Sequence, residues 1–353
     1  MSAPGRSEAV IPAEGSPVSA ADVLRRAPAD AAAPDVSVVV VSYNTRDILR
    51  RCLARLTEEL AALRGEAIVV DNASADGSAD MVAAEFPDVH LVRCAVNLGF
   101  AAGNNRGFAL ARGRYVVLLN PDAFLGEGSL ALALAHMDRS PRVGIAGGRL
   151  QDPAGRLQPS GRLFPSLLNE MLVTSGLAAR FPRSRLFGRF DRTWANPGQA
   201  AQVDWIPGAF TIIRGRALGD TGGFDERFFL YYEEVDLCRR MVQAGYEVWY
   251  WPDIVVTHIG GASSKTVKTH EFSSAGSQLT LWRLRSALLY YRKHHGTLAA
   301  WGLATVESLW HRLRIAVNAR NPAKRELSQR QIGLVRQAWA DTAGGALCPP
   351  RPW

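Results

Sequence analysis

The stretch Gly113–Phe124, GRYVVLLNPDAF, gives the strongest indication of the fold. Its apolar run at 115–119 is uninterrupted, which is typical of a strand buried on both faces of a parallel sheet. Because Pro121 cannot donate to a sheet ladder, we expect the strand to end there. Asp122 would then lie just past the carboxyl end of a central strand, where open α/β sheets bind ligands. Asp is also frequent in turns, so this residue alone does not define a site.

Three further strands are predicted before it, at 36–41, 67–70 and 89–93, with helical patterns between them. Alternating strands and helices predict βαβ units and a mostly parallel sheet, which is an α/β fold. Right-handed crossovers place the carboxyl ends of such strands at one edge of the sheet. Polar residues follow three of these ends, as Tyr43-Asn44, Asp71-Asn72 and Asn120-Pro121-Asp122. We therefore predict a binding site at that edge.

The second half of the chain is less regular. Helices are predicted at 129–137 and 237–244, and strands at 143–148, 211–213, 248–251 and 254–257. The segment 151–198 mixes Pro, Arg and aromatic residues, and its pattern assigns no element. No stretch reaches the roughly 18 apolar residues that a membrane-spanning helix needs.

Composition indicates a soluble globular protein, since 47% of the residues are hydrophobic and 21% are charged. The cysteines form no CxxC pair, which argues against a zinc knuckle or a disulfide framework and fits a reduced, cytosolic setting. Residues 1–34 are rich in Ala, Pro and Ser and have no apolar signal-peptide core. We expect them to form a disordered leader.

The C-terminal part of the chain is basic, and the whole chain carries a net charge of +8. A local basic excess indicates an anionic partner, either a membrane surface or a nucleic acid. Trp282, Trp301 and Trp310 accompany the basic residues and suit a membrane interface. The segment has no nucleic-acid-binding motif, so we expect an anionic membrane surface and no nucleic acid. A solvated helical face or a dimer contact is the alternative, and the oligomeric state is left open.

Several segments together resemble the family 2 glycosyltransferases with the GT-A fold, and especially the rhamnosyltransferase-like members that extend bacterial surface polysaccharides. They are VSVVVVSYN, IVVDNASADGS, NLGFAAGNNRG, VVLLNPDA, WIPGAFTIIR, GGFDERFFLYYEEVDLCRR and HIGGASS, within 36–264. The resemblance implies a Rossmann-like, mostly parallel central sheet flanked by helices, with a C-terminal helical extension. The expected parts are a glycosyltransferase domain at 35–270 (nucleotide-binding half 35–125, acceptor and catalytic half 126–270), a basic amphipathic helical extension at 271–330 and a flexible tail at 331–353.

The resemblance also implies a nucleotide-sugar donor and a Mg²⁺ or Mn²⁺ ion, because hard cations stabilise a departing diphosphate. Asn120-Pro121-Asp122 stands at the family's DxD position, with Asn120 in place of the first acid. Asp122 is therefore the expected metal ligand, and His258 a second metal or diphosphate contact; a plain loop histidine is the alternative. The expected donor-binding residues are Tyr43, Asn44, Asp71, Asn72, Asn97, Gly99, Gly103, Asn120 and Asp122.

Within that set, the carboxylate of Asp71 could accept the N3–H of uracil or thymine, whereas a turn aspartate is the simpler alternative. Asn97, Gly99 and Gly103 would let the backbone approach the donor closely. The chain has neither a GxGxxG motif nor a Walker A lysine, which removes the main support for NAD or ATP as ligand.

An inverting transfer also needs a base for the acceptor hydroxyl. The resemblance places it in the pair Glu233-Glu234, and Glu234 is favoured over Glu233. Neighbouring aromatic rings would stack on sugars and desolvate the carboxylate, which raises its pKa. A plain preference of acids for the helix N-terminus is the alternative. The expected acceptor-binding residues are Trp205, Phe228, Tyr231 and Tyr232.

The sequence thus predicts a metal-dependent, inverting enzyme that moves a sugar to a glycan acceptor, in a form linked to polyprenyl diphosphate. The favoured donor is dTDP-L-rhamnose, with UDP-galactose, UDP-GlcNAc or another nucleotide sugar as alternatives. Attachment to the cytoplasmic face of the inner membrane is expected. A non-catalytic glycan- or nucleotide-binding protein is the alternative class, since Asn120 replaces an acid.

Overall fold

The structure is a computed structural model that describes residues 9–11, 33–260 and 277–351. The strands are β1 (Ala9–Ile11), β2 (Val36–Ser42), β3 (Gly65–Asp71), β4 (His90–Cys94), β5 (Tyr115–Leu119), β6 (Ala123–Leu125), β7 (Val143–Gln151), β8 (Leu157–Gln158), β9 (Ala201–Gln202), β10 (Phe210–Arg214) and β11 (Glu247–His258). The helices are α1 (Arg46–Leu60), α2 (Ser78–Glu85), α3 (Gly99–Leu110), α4 (Ser129–Arg139), α5 (Leu167–Thr174), α6 (Leu177–Arg180), α7 (Gly215–Thr221), α8 (Glu233–Gln243), α9 (Ser277–His295), α10 (Thr297–Val317) and α11 (Pro322–Thr342).

All the described strands belong to one sheet, whose main path runs β1-β4-β3-β2-β5-β10-β7-β11-β6. The first five strands of that path pair in parallel, as the βαβ pattern predicts. Strand β10 then enters antiparallel between β5 and β7, and β11 pairs in parallel with β7. The predicted α/β fold with helices around a central sheet is confirmed, and the sheet is mixed in its second half.

The sheet has a hydrophobic core on each face. β2 and β5 are central, and except for the half-buried Val41 they are buried, because their Val and Leu side chains pack on both sides. On one face, Leu49, Leu53 and Leu56 of α1 bury the apolar stripe of an amphipathic helix. The order β3-β2-β5 places the carboxyl ends of these three strands side by side, which creates the predicted polar edge.

The structure corrects two expectations about the ends of the chain and assigns elements to one interior segment. A flexible tail was expected from residue 331. Instead, helix α11 continues to Thr342 and buries Val335 and Ala338. The leader expected to be disordered contributes β1, which pairs with β4 at the sheet edge. Most of the rest of that leader lies outside the described residues. The unassigned segment 151–198 contains β8, α5 and α6, joined by turns.

The C-terminal helices pack against the sheet domain instead of standing apart from it. Trp282, expected at a membrane interface, is only 1% exposed and lies in the core against Phe229, with ring centres 4.4 Å apart. Trp301 is 59% exposed. None of the helices in the described part of the chain is long and apolar enough to span a bilayer.

Candidate active site

The loops after β2 and β3 are tied together at the predicted edge. The backbone of Asn44 has a positive φ of 52°, and its side-chain Oδ1 accepts a hydrogen bond from the Ala75 N–H at 2.8 Å. The Asn44 N–H donates to Ser74 Oγ at 2.9 Å. Asn44 therefore joins the two loops, and Tyr43 beside it stays half-buried at the same edge.

Asp71, at the end of β3, is 3% exposed. Its Oδ2 accepts the Ser74 N–H at 3.0 Å, so the turn interpretation holds for one oxygen. Its Oδ1 is buried without a hydrogen-bond partner. Burial raises the pKa of this carboxyl, and the hydrogen bonds from Ser74 only partly offset the rise. An unsatisfied buried acceptor needs a donor such as the N–H of a bound base.

The amide of Asn72 and the glycines Gly99 and Gly103 of α3 make close contacts within the protein. Asn72 Nδ2 donates to Gly99 O at 3.0 Å, and Asn97 Oδ1 accepts the Gly99 N–H at 3.0 Å. A Cβ at Gly99 (φ +84°) would lie 2.4 Å from Phe229 O. One at Gly103 would lie 2.9 Å from a methyl carbon of Val41. Both glycines are needed for close packing within the chain, and their expected contact with the donor stays a prediction.

Asp122 and His258 meet because β6 pairs antiparallel with the end of β11. Asp122 is 4% exposed, and its Oδ1 lies 3.4 Å from His258 Nε2. Gln158 Nε2 donates to His258 O at 2.9 Å, which orients the amide so that Oε1 faces His258 Nδ1 at 2.8 Å. Because Oε1 only accepts, Nδ1 carries a proton, and Nε2 is the ring nitrogen that faces Asp122 and could ligate a cation.

This donor set fits a divalent cation. A carboxylate oxygen and an imidazole lone pair that face each other at 3.4 Å gain from a positive charge between them. A histidine that ligates a metal commonly donates its other N–H to a neighbouring acceptor, as His258 does to Gln158. Among the described residues no group of three or more His, Cys, Asp or Glu side chains could hold a metal. Diphosphate oxygens and water would therefore complete the coordination. The half-buried Asn120 lies beside this pair at the end of β5.

Glu233 and Glu234 begin helix α8, directly after two residues with strained backbone. Tyr231 and Tyr232 have φ values of 70° and 67°, in a region that non-glycine residues rarely occupy. Such strain persists only where the surroundings enforce it, and it concentrates at functional sites. Here the Ser286 hydroxyl of α9 donates to Leu230 O at 2.8 Å, so the C-terminal extension supports this turn.

The carboxyls of Glu233 and Glu234 differ in how far their pKa is raised. Burial raises the pKa of Glu233 well above its usual value, and the charge of Glu234 adds to the rise. Burial also raises the pKa of Glu234, but the N–H of Gly208, the charge of Arg162 and a hydrogen bond from Glu233 oppose this. Because burial and the neighbouring charge raise the pKa of Glu233 further, Glu234 is the member of the pair that ionises more readily.

The third acid of this turn has a structural role. Asp236 is fully buried and accepts from Arg240 at 2.8 Å, Lys293 at 2.7 Å and His294 at 2.7 Å. Although burial opposes ionisation, His294, Arg240 and Lys293 hold the pKa of Asp236 below its usual value. Asp236 thus anchors α9 to α8 and is not available as a base.

Glu234 opens into a cavity of about 450 Å³ between the catalytic half and the C-terminal helices. Three of the four predicted acceptor residues line it, namely Trp205, Tyr231 and Tyr232. The fourth expectation is wrong, because Phe228 is 1% exposed and belongs to the core.

Sequence reasoning missed several residues that line this cavity and one that contacts the pair Asp122 and His258. They are Gln158, Arg162, Asn169, Glu170, Arg283, Glu307, Trp310, His311 and Arg314. Most lie in the unassigned segment or on helices α9 and α10, which contact the site only through tertiary packing. A recognisable signal existed on α10, where Glu307, His311 and Arg314 share one helical face.

Comparison with known proteins defines the class. Residues 37–193 match the sequence profile described as glycosyl transferase family 2. The chain is also 33% identical, over 233 residues, to the N-acetylglucosaminyl-diphospho-decaprenol L-rhamnosyltransferase of Mycobacterium tuberculosis. That match covers 63% of this chain and 75% of the relative. The chain therefore belongs to glycosyl transferase family 2 and is a glycosyltransferase.

Two further similarities agree with this. The rhamnosyltransferase WbbL of Escherichia coli is 22% identical over 266 residues, which cover 72% of this chain and 92% of that protein. Among solved structures, a mannosyltransferase from Pyrobaculum calidifontis in complex with GDP-Man and Mn²⁺ has a TM-score of 0.51 at 18% identity. The superposition covers 92% of each chain. At that identity the likeness concerns the fold alone, and the fold is the GT-A fold that the sequence motifs imply.

Proposed function

We propose that this glycosyltransferase transfers L-rhamnose from dTDP-L-rhamnose to a glycan linked to polyprenyl diphosphate, with inversion and with a divalent metal ion. The observation that carries the metal-dependent part is the opposed pair of Asp122 Oδ1 and His258 Nε2 at the sheet edge. The rhamnose donor and the lipid-linked acceptor are supported by the similarity to the N-acetylglucosaminyl-diphospho-decaprenol L-rhamnosyltransferase of Mycobacterium tuberculosis.

The donor would lie along the edge formed by β3, β2 and β5. The unsatisfied Oδ1 of Asp71 would accept the N3–H of thymine or uracil, which favours a pyrimidine nucleotide. Asp122 and His258 would hold a Mg²⁺ or Mn²⁺ ion, which as a Lewis acid stabilises the charge of the departing diphosphate. Asn72 and Asn97 would keep the intervening loop in place.

Glu234 would act as the base. Its carboxylate removes the proton from the acceptor hydroxyl while the new bond between that oxygen and the anomeric carbon forms. The bond from the anomeric carbon to the diphosphate breaks on the opposite side, and the nucleoside diphosphate leaves with the electron pair. Glu233 keeps its own proton and holds Glu234 ionised through their hydrogen bond.

The acceptor sugar would occupy the cavity next to Glu234. Buried polar atoms without partners face it from several elements: Asn169 Oδ1, Glu234 Oε2, Trp310 Nε1 and His311 Nδ1. They include both donors and acceptors, and the hydroxyl groups of a sugar can pair with both. The aromatic walls of Trp205, Tyr231 and Trp310 suit the apolar faces of a sugar.

We further propose that the protein attaches peripherally to an anionic membrane on the cytoplasmic side. One face of α10 exposes apolar side chains at helical spacing, including Leu298 at 83% and Val317 at 76% exposure. Helix α5 packs against α10 and also exposes Leu168 and Met171. Exposed basic residues follow on the same C-terminal region and complement anionic lipid: Arg312, Arg320, Lys324 and Arg325.

A panel of nucleotide sugars, tested with and without Mn²⁺ or Mg²⁺, would examine the enzymatic proposal. We expect dTDP-L-rhamnose to bind in a metal-dependent way and Asp122→Ala to weaken this binding. Glu234→Gln should keep donor binding but lower turnover by about 10²–10⁴-fold. Glu127→Gln, at an exposed position, is the matched control. Turnover of a UDP-hexose and not of dTDP-L-rhamnose would reject the donor, and absence of binding by every donor would reject the enzymatic role.

A further inference from the structure

A second cavity, of about 520 Å³, lies beside β8 and the segment 183–197. It is separate from the cavity at Glu234. An ion pair lies between the two cavities, with Arg162 Nε 3.1 Å from Asp191 Oδ1. Arg162 lines the first cavity and Asp191 the second. Neither the proposed base nor the proposed metal ligands line this second space.

The inner wall offers hydrogen-bond donors that nothing in the described chain satisfies. The hydroxyl of Ser160 and the indole N–H of Trp194 are both buried and have no hydrogen-bond partner. Buried polar groups are nearly always paired, so two unpaired groups in one cavity point to a ligand. An indole N–H can only donate, and the ligand must therefore present an acceptor to it.

The charge of this cavity is positive. Arg183, Arg185 and Arg192 line it, and within the described residues none of their guanidinium groups makes a hydrogen bond or an ion pair. Asp191 is the acid among the lining residues, and Arg162 already neutralises it. The guanidinium of Arg185 lies 4.8 Å from the ring centre of Trp194, which keeps its donors beside the indole N–H.

Arg192 has an unfavourable backbone conformation. Its backbone has a positive φ of 50°, which is unusual for a non-glycine residue and persists mainly at functional sites. Its side chain is half-buried, and desolvation of the cation lowers the pKa of the guanidinium, which the charge of Asp204 offsets only in part. An anion beside it would replace the lost hydration.

We propose that this second cavity binds a diphosphate group. A guanidinium group binds two phosphate oxygens at once through two N–H donors. The cavity is also larger than a single phosphate needs. The group could belong to a nucleoside diphosphate or to an isoprenoid diphosphate, which present the same chemistry. Gln158 lines this cavity and is also hydrogen-bonded to His258. A bound anion would therefore lie next to the residue that orients this proposed metal ligand. This inference goes beyond the proposed transfer and does not depend on it.

Calorimetric titration of inorganic pyrophosphate into the full chain carrying Asp122→Ala, without divalent metal, tests the site apart from the donor edge. We expect binding in that background and a loss of about tenfold or more in affinity on adding Arg192→Gln. Trp194→Phe removes the N–H together with the five-membered ring of the indole, leaves the three arginines in place, and should give a smaller loss of about threefold. Arg216→Gln, an 85% exposed arginine on α7, is the matched control and should change nothing.

Competition then distinguishes the two sources. Displacement of pyrophosphate by dTDP at lower concentration than by farnesyl diphosphate would assign the site to a nucleotide, and the reverse order to an isoprenoid lipid. The proposal is overturned if pyrophosphate does not bind, or if Arg192→Gln and Trp194→Phe both bind as tightly as their parent. Should Arg192→Gln lower the melting temperature strongly, Ser160→Ala and Trp194→Phe decide the question alone. No sugar donor is used, so failure of the proposed transfer would leave this result unaffected.

Discussion

His258 Nε2 faces Asp122 Oδ1 at 3.4 Å, because Nδ1, on the other side of the ring, is hydrogen-bonded to Gln158 Oε1. The two residues are far apart in the sequence and meet only through the antiparallel pairing of β6 with the end of β11. His258 is therefore a candidate second metal ligand beside the Asn120-Pro121-Asp122 motif, which has Asn120 in place of the first acid of DxD.

The first prediction concerns Gln158. Gln158→Leu removes the acceptor that fixes the tautomer of His258, so metal affinity should fall by about 10–100-fold. Titration with Mn²⁺, followed by electron paramagnetic resonance, would measure this. Gln243→Leu, at an exposed position on α8, is the control. Unchanged Mn²⁺ affinity in Gln158→Leu would show that His258 does not depend on this support.

The second prediction concerns the pH profile. A base must be ionised, so kcat/KM should fall as the pH drops through the pKa of Glu234, which burial raises above the usual value of 4.5. Glu233→Ala removes a hydrogen bond that lowers the pKa of Glu234, and the acidic limb should therefore move to higher pH. Glu233→Gln keeps a donor and should shift the limb less. Movement to lower pH in Glu233→Ala would mean that Glu233 is ionised and acts by repulsion.

The third prediction concerns the acceptor cavity. Trp310→Phe keeps an aromatic ring but removes the five-membered ring of the indole, and with it the buried N–H that has no partner in the described chain. We expect KM for the acceptor to rise about threefold to tenfold, with little change in kcat or in KM for the donor. Steady-state kinetics with each substrate varied would separate these effects. An equal rise in both KM values would indicate a general structural disturbance instead.

The fourth prediction concerns Gly99. Gly99→Ala places a Cβ 2.4 Å from Phe229 O and adds a residue that disfavours φ +84°, so it should destabilise the fold by more than about 1 kcal/mol. Gly155 has a similar φ of +78° with no atom within 4 Å of the added Cβ. Gly155→Ala therefore isolates the backbone effect, and the difference in urea unfolding measures the clash. Equal losses would show that Phe229 moves aside easily.

The fifth prediction concerns the membrane. Replacing Leu298 and Trp301 with Ser should reduce co-sedimentation with vesicles that contain phosphatidylglycerol, because both apolar side chains are exposed on α10. Leu132→Ser, at a residue of α4 that is 41% exposed, should leave binding unchanged. If the wild-type chain does not sediment with these vesicles, the membrane attachment is rejected.

Much of the fold followed from local patterns. The apolar runs at 36–41 and 115–119 could only be buried strands, and the observed β2 and β5 differ from them by one residue or less. Phe228 was mistaken for a ligand contact because a local aromatic run does not reveal which ring points into the core. The C-terminal helices were recognised as helical, but the burial of Trp282 depends on a packing partner, Phe229, in another part of the chain.

The sequence by itself determined the parallel strands, the polar edge at Asp71 and Asp122, and the acidic pair at the start of α8, since strand burial and helix periodicity are local properties. Only the tertiary structure decided which polar groups remain available to a ligand. It assigned Asn72 and Asp236 to internal contacts, brought Gln158 to His258, and closed the cavity at Glu234 with α10. Hydrogen-bond satisfaction and burial arise from contacts between distant segments, which no local pattern contains.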